Sequence, residues 1–145
     1  MKERFEKFTV LITKISRSIR RIKTEEMDEF SLKAPHVSCL YYIYKEKALT
    51  SKHLCELCEE DKASVSRSLD YLEGEGFLIR NKEDGKYKTP IELTEKGKRA
   101  GKIISQKVDR ILTSVGEGFT EEERKTFYRC LSLISDNLEK ICGEY

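Results

Sequence analysis

Two cysteines one helical turn apart are the residues whose types and spacing most directly suggest chemistry. Cys55 and Cys58 form a Cys-x-x-Cys arrangement, and His53 lies two positions before the first of them. Such a group would suit a redox couple or part of a metal site. A zinc site, however, needs further ligands, and no second Cys-x-x-Cys follows in the chain. Because a free cysteine also packs as a small hydrophobic residue, helix packing is the competing interpretation.

The remaining thiols are Cys39, Cys130 and Cys142, which bring the total to five. An odd number in a chain of this size is not typical of a disulfide framework, so we expect reduced thiols. Cys39 and Cys130 fall on or near apolar stripes and are predicted to be core residues. Cys142 is predicted to be an exposed thiol near the terminus. A peroxide-sensing thiol would need a neighbouring cation or helix N-terminus to lower its pKa.

A second group of functional residue types lies on the helix predicted over residues 62–73. With Val65 as the origin of a helical wheel, Leu69 and Leu72 fall within about 40° of it and form an inner face. Arg67 lies opposite this inner face, and Ser64 and Ser66 lie on the two flanks, so the outer side is polar with one long cation near the N-terminal end. Side chains of these types reach phosphates and base edges. The predicted contacts with DNA on this helix are Lys62, Ser64, Ser66 and Arg67.

The neighbouring segments complete a predicted winged helix-turn-helix. A helix over residues 51–59 precedes the polar helix, and Ser51 and Lys52 at its start are predicted to hold phosphates. A two-stranded hairpin follows over residues 77–93, with Asp84-Gly85 as its turn signal. A basic hairpin beside such a helix can lie along the DNA backbone or the minor groove. Its cations, also predicted to contact DNA, are Arg80, Lys82, Lys86 and Lys88.

Long amphipathic helices flank this region on both sides, each with one apolar stripe. The N-terminal stripe comprises Phe5, Phe8, Ile12, Ile15, Ile19 and Ile22, and the C-terminal stripe comprises Phe127, Leu131, Ile134, Leu138 and Ile141. A small central core cannot cover both stripes, which favours a homodimer. We therefore predict a mainly α fold with a small β-hairpin, in one intertwined domain. Its parts are an N-terminal dimerisation helix, a winged helix-turn-helix and C-terminal dimerisation helices, at residues 1–30, 34–94 and 95–145.

Composition limits the function classes. The 145 residues carry a formal net charge of only +2, although 37% of them are charged. DNA binding must therefore depend on where the cations lie, because the chain has no overall basic field. The chain contains no signal-peptide pattern and no apolar run long enough to span a bilayer, so we expect a cytoplasmic protein and no membrane partner.

The residues of the polar helix and the hairpin resemble the MarR family of bacterial regulators. The resemblance rests on Leu40, on Leu54-Cys55, on the run Val-Ser-Arg-Ser-Leu-Asp-Tyr-Leu-Glu-Gly-Glu-Gly-Phe-Leu-Ile-Arg over residues 65–80, and on Leu-Thr-Glu-Lys-Gly over residues 93–97. The order of predicted elements matches over nearly the whole chain. The hairpin tip departs from the family pattern, since Asp84-Gly85-Lys86 stands where Asp-x-Arg is usual. Lysine keeps the charge there but lacks the planar fork of arginine.

This resemblance implies a homodimer whose terminal helices intertwine and whose two polar helices face one DNA duplex. Half-sites about one helical turn apart would then form a pseudo-palindromic operator. It also implies a crevice for a small aromatic or phenolic ligand, and the residues that would line it are His36, Tyr41 and Tyr44.

The predicted function is a homodimeric, sequence-specific DNA-binding transcriptional regulator, a repressor that a small ligand releases. One alternative is a winged-helix module that binds proteins and not DNA, since acidic residues lie near the polar helix. Another is a thiol- or metal-responsive regulator that uses Cys55 and Cys58. We expect no enzyme activity, no cofactor and no metal, because no base, orienting partner or nucleotide-binding loop accompanies the thiols.

Overall fold

The computed structural model of the chain describes residues 2–58, 60–80 and 90–145, except for the side chains of Lys2 and Phe5. Within these residues the chain forms helices and one small antiparallel sheet, which confirms the predicted fold class. In chain order the elements are α1 (Lys2–Glu26), a 3₁₀ helix (Asp28–Phe30), α2 (Ala34–Lys45), α3 (Ser51–Cys58), α4 (Lys62–Gly74), β1 (Leu78–Ile79), β2 (Glu92–Leu93), α5 (Glu95–Val115) and α6 (Glu121–Cys142). The predicted hairpin tip, including Asp84, Gly85, Lys82, Lys86 and Lys88, lies outside the described residues.

The chain divides into two compact units, Met1–Lys107 and Val108–Tyr145, and the boundary lies within α5. In the first unit, α2, α3 and α4 pack against one another around a leucine core. Leu40, Leu54 and Leu69 are fully buried, and burying each such side chain stabilises the fold by about 2 kcal/mol. Val65, Leu69 and Leu72 all face this core. The predicted inner face of the polar helix is therefore confirmed.

Local signals in the sequence begin and end α4. The carboxylate of Asp61 accepts a hydrogen bond from the backbone N–H of Ser64 at 2.7 Å, so Asp61 caps the helix N-terminus. After the helix, Gly76 has a φ of +79°, a left-handed conformation that glycine adopts without strain. The chain then turns directly into β1, which places the first strand beside α4.

The paired strands pack closely on the start of α5. Leu78 pairs with Leu93 and Ile79 with Glu92 in an antiparallel register. A Cβ atom at Gly97 would collide with the carbonyl oxygen of Phe77. Only glycine allows this approach, so the Leu-Thr-x-x-Gly run fixes the two strands against α5.

The apolar stripe of α1 is largely uncovered among the described residues. Phe8, Ile12, Ile15 and Ile19 are 39%, 40%, 51% and 48% exposed. Tertiary packing usually buries such a stripe against a core. In the described part of the chain, no other element packs over the whole stripe of α1.

The second unit contains α6, which begins with a capping box. Glu123 donates its backbone N–H to the Thr120 hydroxyl at 3.1 Å, and the Thr120 N–H donates to the Glu123 carboxylate at 2.8 Å. Phe127, Leu131 and Leu138 on this helix are exposed. Cys130 is also exposed, so its predicted core position is wrong, because the described residues form no core on that face of α6. Within the described ranges, no helix is both long and apolar enough to cross a bilayer.

Candidate nucleic-acid interface

The outer face of α4 presents the predicted polar group to solvent. Lys62, Ser66 and Arg67 are exposed, and Ser64 is half-buried. The guanidinium of Arg67 donates a hydrogen bond to the Ser64 hydroxyl at 3.1 Å, which holds the arginine along the first turn of the helix. The hydrogen bond from the Ser64 N–H to Asp61 is the main reason why the pKa of that carboxyl lies below its ordinary value. We call these four residues the α4 outer face: Lys62 at the beginning of the helix, Ser64 and Ser66 on the flanks, and Arg67 opposite the core.

The structure corrects the prediction for Arg80. Its side chain is only 4% exposed and its guanidinium lies 2.5 Å from a carboxylate oxygen of Asp70 and 2.6 Å from one of Glu73. Burial alone would lower the pKa of Arg80, but the hydrogen bonds and charges of the two carboxylates outweigh it and raise the pKa. Arg80 therefore fastens the end of β1 to α4 and is not available to DNA in this conformation.

The beginning of α3 is only partly available to phosphates. Lys52 is exposed, as expected of a phosphate contact, whereas Ser51 is 7% exposed. The Ser51 side chain lies with Lys62 and Arg80 in the lining of a cavity of about 140 Å³. The prediction that the Ser51 hydroxyl reaches solvent phosphates is therefore wrong, because the side chain packs inward.

The segment that leads into β2 is anchored beside the beginning of α3. Ile91 donates its backbone N–H to the carbonyl of Leu49 at 2.9 Å, and Pro90 bridges to Thr50, just before α3 begins. Proline has no backbone N–H, and this isolated bridge leaves Pro90 outside the paired strands. The two strands are consequently tied both to α4, through Arg80, and to the turn before α3.

A larger cavity of about 580 Å³ opens between α1, α2 and α4. His36 lies on its wall and stacks on Tyr71, with ring centroids 4.2 Å apart and planes 9° apart. Burial, and then the charge of Lys33, lowers the pKa of His36. Tyr41 and Tyr44 do not line this cavity. The wall is instead rich in cations that the sequence did not single out as ligand-binding residues, namely Arg20, Lys23, Lys33 and Arg67.

Two thiols line the same cavity, and they are not the pair that the sequence suggested. Cys39 of α2 and Cys58 of α3 both belong to its wall. The neighbouring Cys58, more than burial, raises the pKa of Cys39, and Cys39 lowers the pKa of Cys58. Cys55 lies half-buried on α3 and lines the smaller cavity. No spacing rule within one helix could have placed Cys39 and Cys58 on one cavity wall, because the two residues come from different helices. Among the described residues, no group of three or more His, Cys, Asp or Glu side chains is arranged to hold a metal ion.

Fold and site together define a winged helix-turn-helix protein. The MarR family model matches residues 30–86, from the 3₁₀ helix into the hairpin. An uncharacterized HTH-type transcriptional regulator of Bacillus subtilis, YybA, is 25% identical over 127 residues, covering 87% of this chain and 85% of the relative. An uncharacterized HTH-type transcriptional regulator of Bacillus cereus is 29% identical over 121 residues, covering 83% and 81%.

Solved structures agree with the sequence relatives. A MarR-family regulator of Listeria monocytogenes, crystallised with a 26mer DNA, superposes with a TM-score of 0.77 at 25% identity, covering 88% of this chain and 85% of that one. The transcriptional regulator SlyA superposes with a TM-score of 0.81 at 25% identity, covering 92% and 94%. Over the matched residues the chain is therefore similar to MarR-family winged-helix transcriptional regulators.

Proposed function

We propose that this protein is a transcriptional regulator of the MarR type, a cytoplasmic homodimer that binds a pseudo-palindromic DNA operator through the α4 outer face and represses transcription. The observation that carries the proposal is the division of α4 into two faces. Val65 and Leu69 hold the helix on the core, while Arg67 is exposed on the opposite side and Lys62 is exposed at the beginning of the helix. A helix docked from behind with its polar residues exposed is the arrangement that enters a major groove.

The side chains of the α4 outer face have suitable chemistry for this task. Arginine makes bidentate contacts with guanine, and serine hydroxyls donate to or accept from either base edges or phosphates. The Listeria relative crystallised with DNA supports the same use of the fold. In this proposal Arg67 and Ser66 read bases, Lys62 and Lys52 hold phosphates, and the hairpin lysines grip the adjacent backbone, namely Lys82, Lys86 and Lys88.

The uncovered stripe of α1 supports the homodimer. A second copy of the chain would bury Ile12, Ile15 and Ile19, each of which is at least 40% exposed here. A two-fold interface uses the same patch on both subunits, so one apolar stripe suffices for both. The dimer would present two α4 helices to half-sites about one turn of DNA apart.

The larger cavity supports release by a small aromatic acid. Its wall combines the His36 ring with the cations Lys23, Lys33 and Arg67. A carboxylate bound there would compete for Arg67, which also belongs to the α4 outer face. Benzoate is therefore expected to weaken DNA binding, whereas benzyl alcohol, which lacks the charge, is expected to have a much smaller effect.

Fluorescence anisotropy with duplexes from the DNA flanking the coding region tests the proposal. Arg67→Ala should weaken binding by about ten- to a hundredfold, while Lys14→Ala on α1 removes the same charge and should leave it unchanged. If Lys62 holds one phosphate, Lys62→Ala should also reduce the log–log slope of affinity against salt by about 0.9. A protein-interaction module would show no such slope, and that result would contradict DNA binding.

A further inference from the structure

Ser64 belongs to the α4 outer face, but its hydroxyl is engaged within the protein. The hydroxyl oxygen accepts a hydrogen bond from the Arg67 guanidinium at 3.1 Å, and Ser64 is half-buried on the wall of the larger cavity. Ser66, two positions later, is exposed. In the proposed function Arg67 and Ser66 read bases, and Ser64 has no task of its own.

The backbone of Ser64 is fixed at the point where α4 begins. Its N–H donates to the carboxylate of Asp61 at 2.7 Å and so caps the helix. The next residue, Val65, is 2% exposed and holds this turn of the helix on the core. The same Ser64 N–H is the main cause that lowers the pKa of Asp61, and the charge of Arg67 adds to it. The Ser64 oxygen is therefore a fixed acceptor within reach of Arg67.

The hydrogen bond directs the Arg67 guanidinium toward the N-terminal end of α4. Ser64 precedes Arg67 by three positions, and residues three apart are neighbours on a helix surface. In helix-turn-helix proteins the N-terminal residues of the recognition helix contact the base edges. Arg67 thus already points toward the end of the helix that enters the groove. A side chain held in this direction loses less rotamer freedom on binding than one that rotates freely.

The guanidinium keeps enough donors for a base while it is bound to Ser64. Arginine has five N–H groups, and this hydrogen bond uses one of those on Nη2. A bidentate contact with guanine needs two donors, one for O6 and one for N7. Adenine has an amino group where guanine has O6, so only its N7 can accept. The direction of the Arg67 guanidinium therefore determines how well guanine is distinguished from adenine.

We propose that Ser64 is a positioning residue, which holds Arg67 in the direction that reads guanine and does not itself contact DNA. The specificity half of this inference rests on the proposed function, whereas the holding of Arg67 does not. Ser64→Ala removes the hydroxyl but keeps the helix cap, because Asp61 accepts from the backbone N–H of Ser64. The expected loss of discrimination is about two- to tenfold, the factor that corresponds to ordering one long side chain.

NMR relaxation of the arginine Nε–H groups tests the holding of Arg67 without DNA. In the wild-type protein the order parameter of Arg67 should exceed about 0.6, and in Ser64→Ala it should fall below that value. Ser64→Thr keeps a hydroxyl and should restore the wild-type value. Arg17, which is exposed on α1, is the internal reference and should not differ between the proteins. Equal order parameters for Arg67 in the wild type and Ser64→Ala would overturn the proposal.

Fluorescence anisotropy with two matched duplexes tests the specificity half. The duplexes come from a random-sequence pool selected by the wild-type protein, and they carry guanine or adenine at the position that Arg67→Ala relaxes. Ser64→Ala should reduce the ratio of guanine to adenine affinity about two- to tenfold, through weaker binding of the guanine duplex. Ser64→Thr should restore the ratio. Ser18→Ala, which removes an exposed hydroxyl from α1, should leave it unchanged.

A double variant separates positioning from direct contact with DNA. If Ser64 acts through Arg67, Ser64→Ala should cause no further loss of discrimination once Arg67→Ala is present. A further loss, an unchanged ratio in Ser64→Ala alone, or equal weakening on both duplexes would overturn the positioning role. Failure of the wild-type protein to bind any duplex, or of Arg67→Ala to relax any position, would instead overturn the proposed function. The order parameters would still decide whether Ser64 holds Arg67.

Discussion

Aliphatic side chains are buried where α2, α3 and α4 pack together, but similar side chains are exposed along the helix α1. Leu40, Leu54 and Leu69 are fully buried, whereas Ile15 and Ile19 on α1 are about half exposed. Both regions have regular apolar periodicity, so the pattern alone does not distinguish them. The difference teaches that the α2–α4 region completes its own core, while the α1 stripe is suited to be completed by a second chain.

The largest expected effect concerns the self-sufficient core. Leu69→Ala should lower the free energy of unfolding by about 3 kcal/mol, because it leaves a cavity behind the α4 outer face. Urea denaturation followed by circular dichroism measures the change. If the α2–α4 core is independent of dimerisation, the decrease should be the same at high and low protein concentration. A decrease confined to high concentration would contradict the comparison.

The second largest expected effect concerns dimerisation through the apolar stripe of α1. Ile15→Asp should raise the dimer dissociation constant about a hundredfold, or about 1.4 kcal/mol per subunit, because the two-fold axis places two carboxylates in the apolar interface. Sedimentation equilibrium measures it. Thr13→Asp adds the same charge to a part of α1 away from the stripe and should leave the dimer intact. Equal weakening by both variants would mean that the stripe is not the contact.

Two arginines of the first unit should differ in their contribution to stability, because Arg80 is buried and Arg67 is exposed. Arg80→Ala should lower the free energy of unfolding by about 2 kcal/mol. This is less than the full cost of breaking a buried ion pair, because the Asp70 carboxylate left behind is 61% exposed to water. Arg67→Ala should change it by less than about 0.5 kcal/mol, since its side chain is already exposed. Thermal unfolding of both variants checks this. Similar decreases would indicate that Arg67 also has a structural role.

Loss of a helix cap should lower the free energy of unfolding by a smaller amount. Thr120→Ala removes the capping box of α6 and should cost about 1 kcal/mol of unfolding free energy. Ser132→Ala, in the same helix but away from the cap, should cost less than about 0.5 kcal/mol. Should the two variants unfold alike in urea, the capping box would not contribute to the stability of the second unit.

The smallest effect is a pH dependence at the cap of α4. The pKa of Asp61 is lowered in the folded protein, mainly by the Ser64 N–H, so its contribution is complete above the ordinary value of 3.8 and disappears as the pH falls through the folded pKa. Asp61→Asn keeps an acceptor that does not titrate. Urea midpoints should therefore fall more steeply in the wild-type protein than in this variant as the pH drops below 3.8. Parallel curves would exclude the carboxylate as the cause.

Much of the fold was predictable because its signals are local. Asp61, Gly76 and the Thr120 capping box act within a few residues, and helical periodicity assigned Val65 and Leu69 to the inner face correctly. The exposure of Arg67 followed from the same periodicity, whereas Lys62 is exposed because it is the first residue of the helix. These features need no knowledge of which helices become neighbours.

The predictions that failed, and the features that the sequence did not indicate, depend instead on which elements become neighbours in the fold. Arg80 was assigned to DNA by its charge, but two carboxylates of α4 hold it on the protein side. Cys130 lies on an apolar stripe that the described residues leave uncovered. Cys39 and Cys58 line one cavity because α2 packs against α3, and no spacing within either helix encodes that packing.

Selection of duplexes from a random-sequence pool by the reduced wild-type protein tests the central claim most directly. A dimer that presents two α4 helices to one duplex should enrich an inverted repeat with half-site centres about 10 base pairs apart. Arg67→Ala should relax the preference at one position in each half-site. Enrichment of a single asymmetric site, or no enrichment in the presence of salt-dependent binding, would contradict the account.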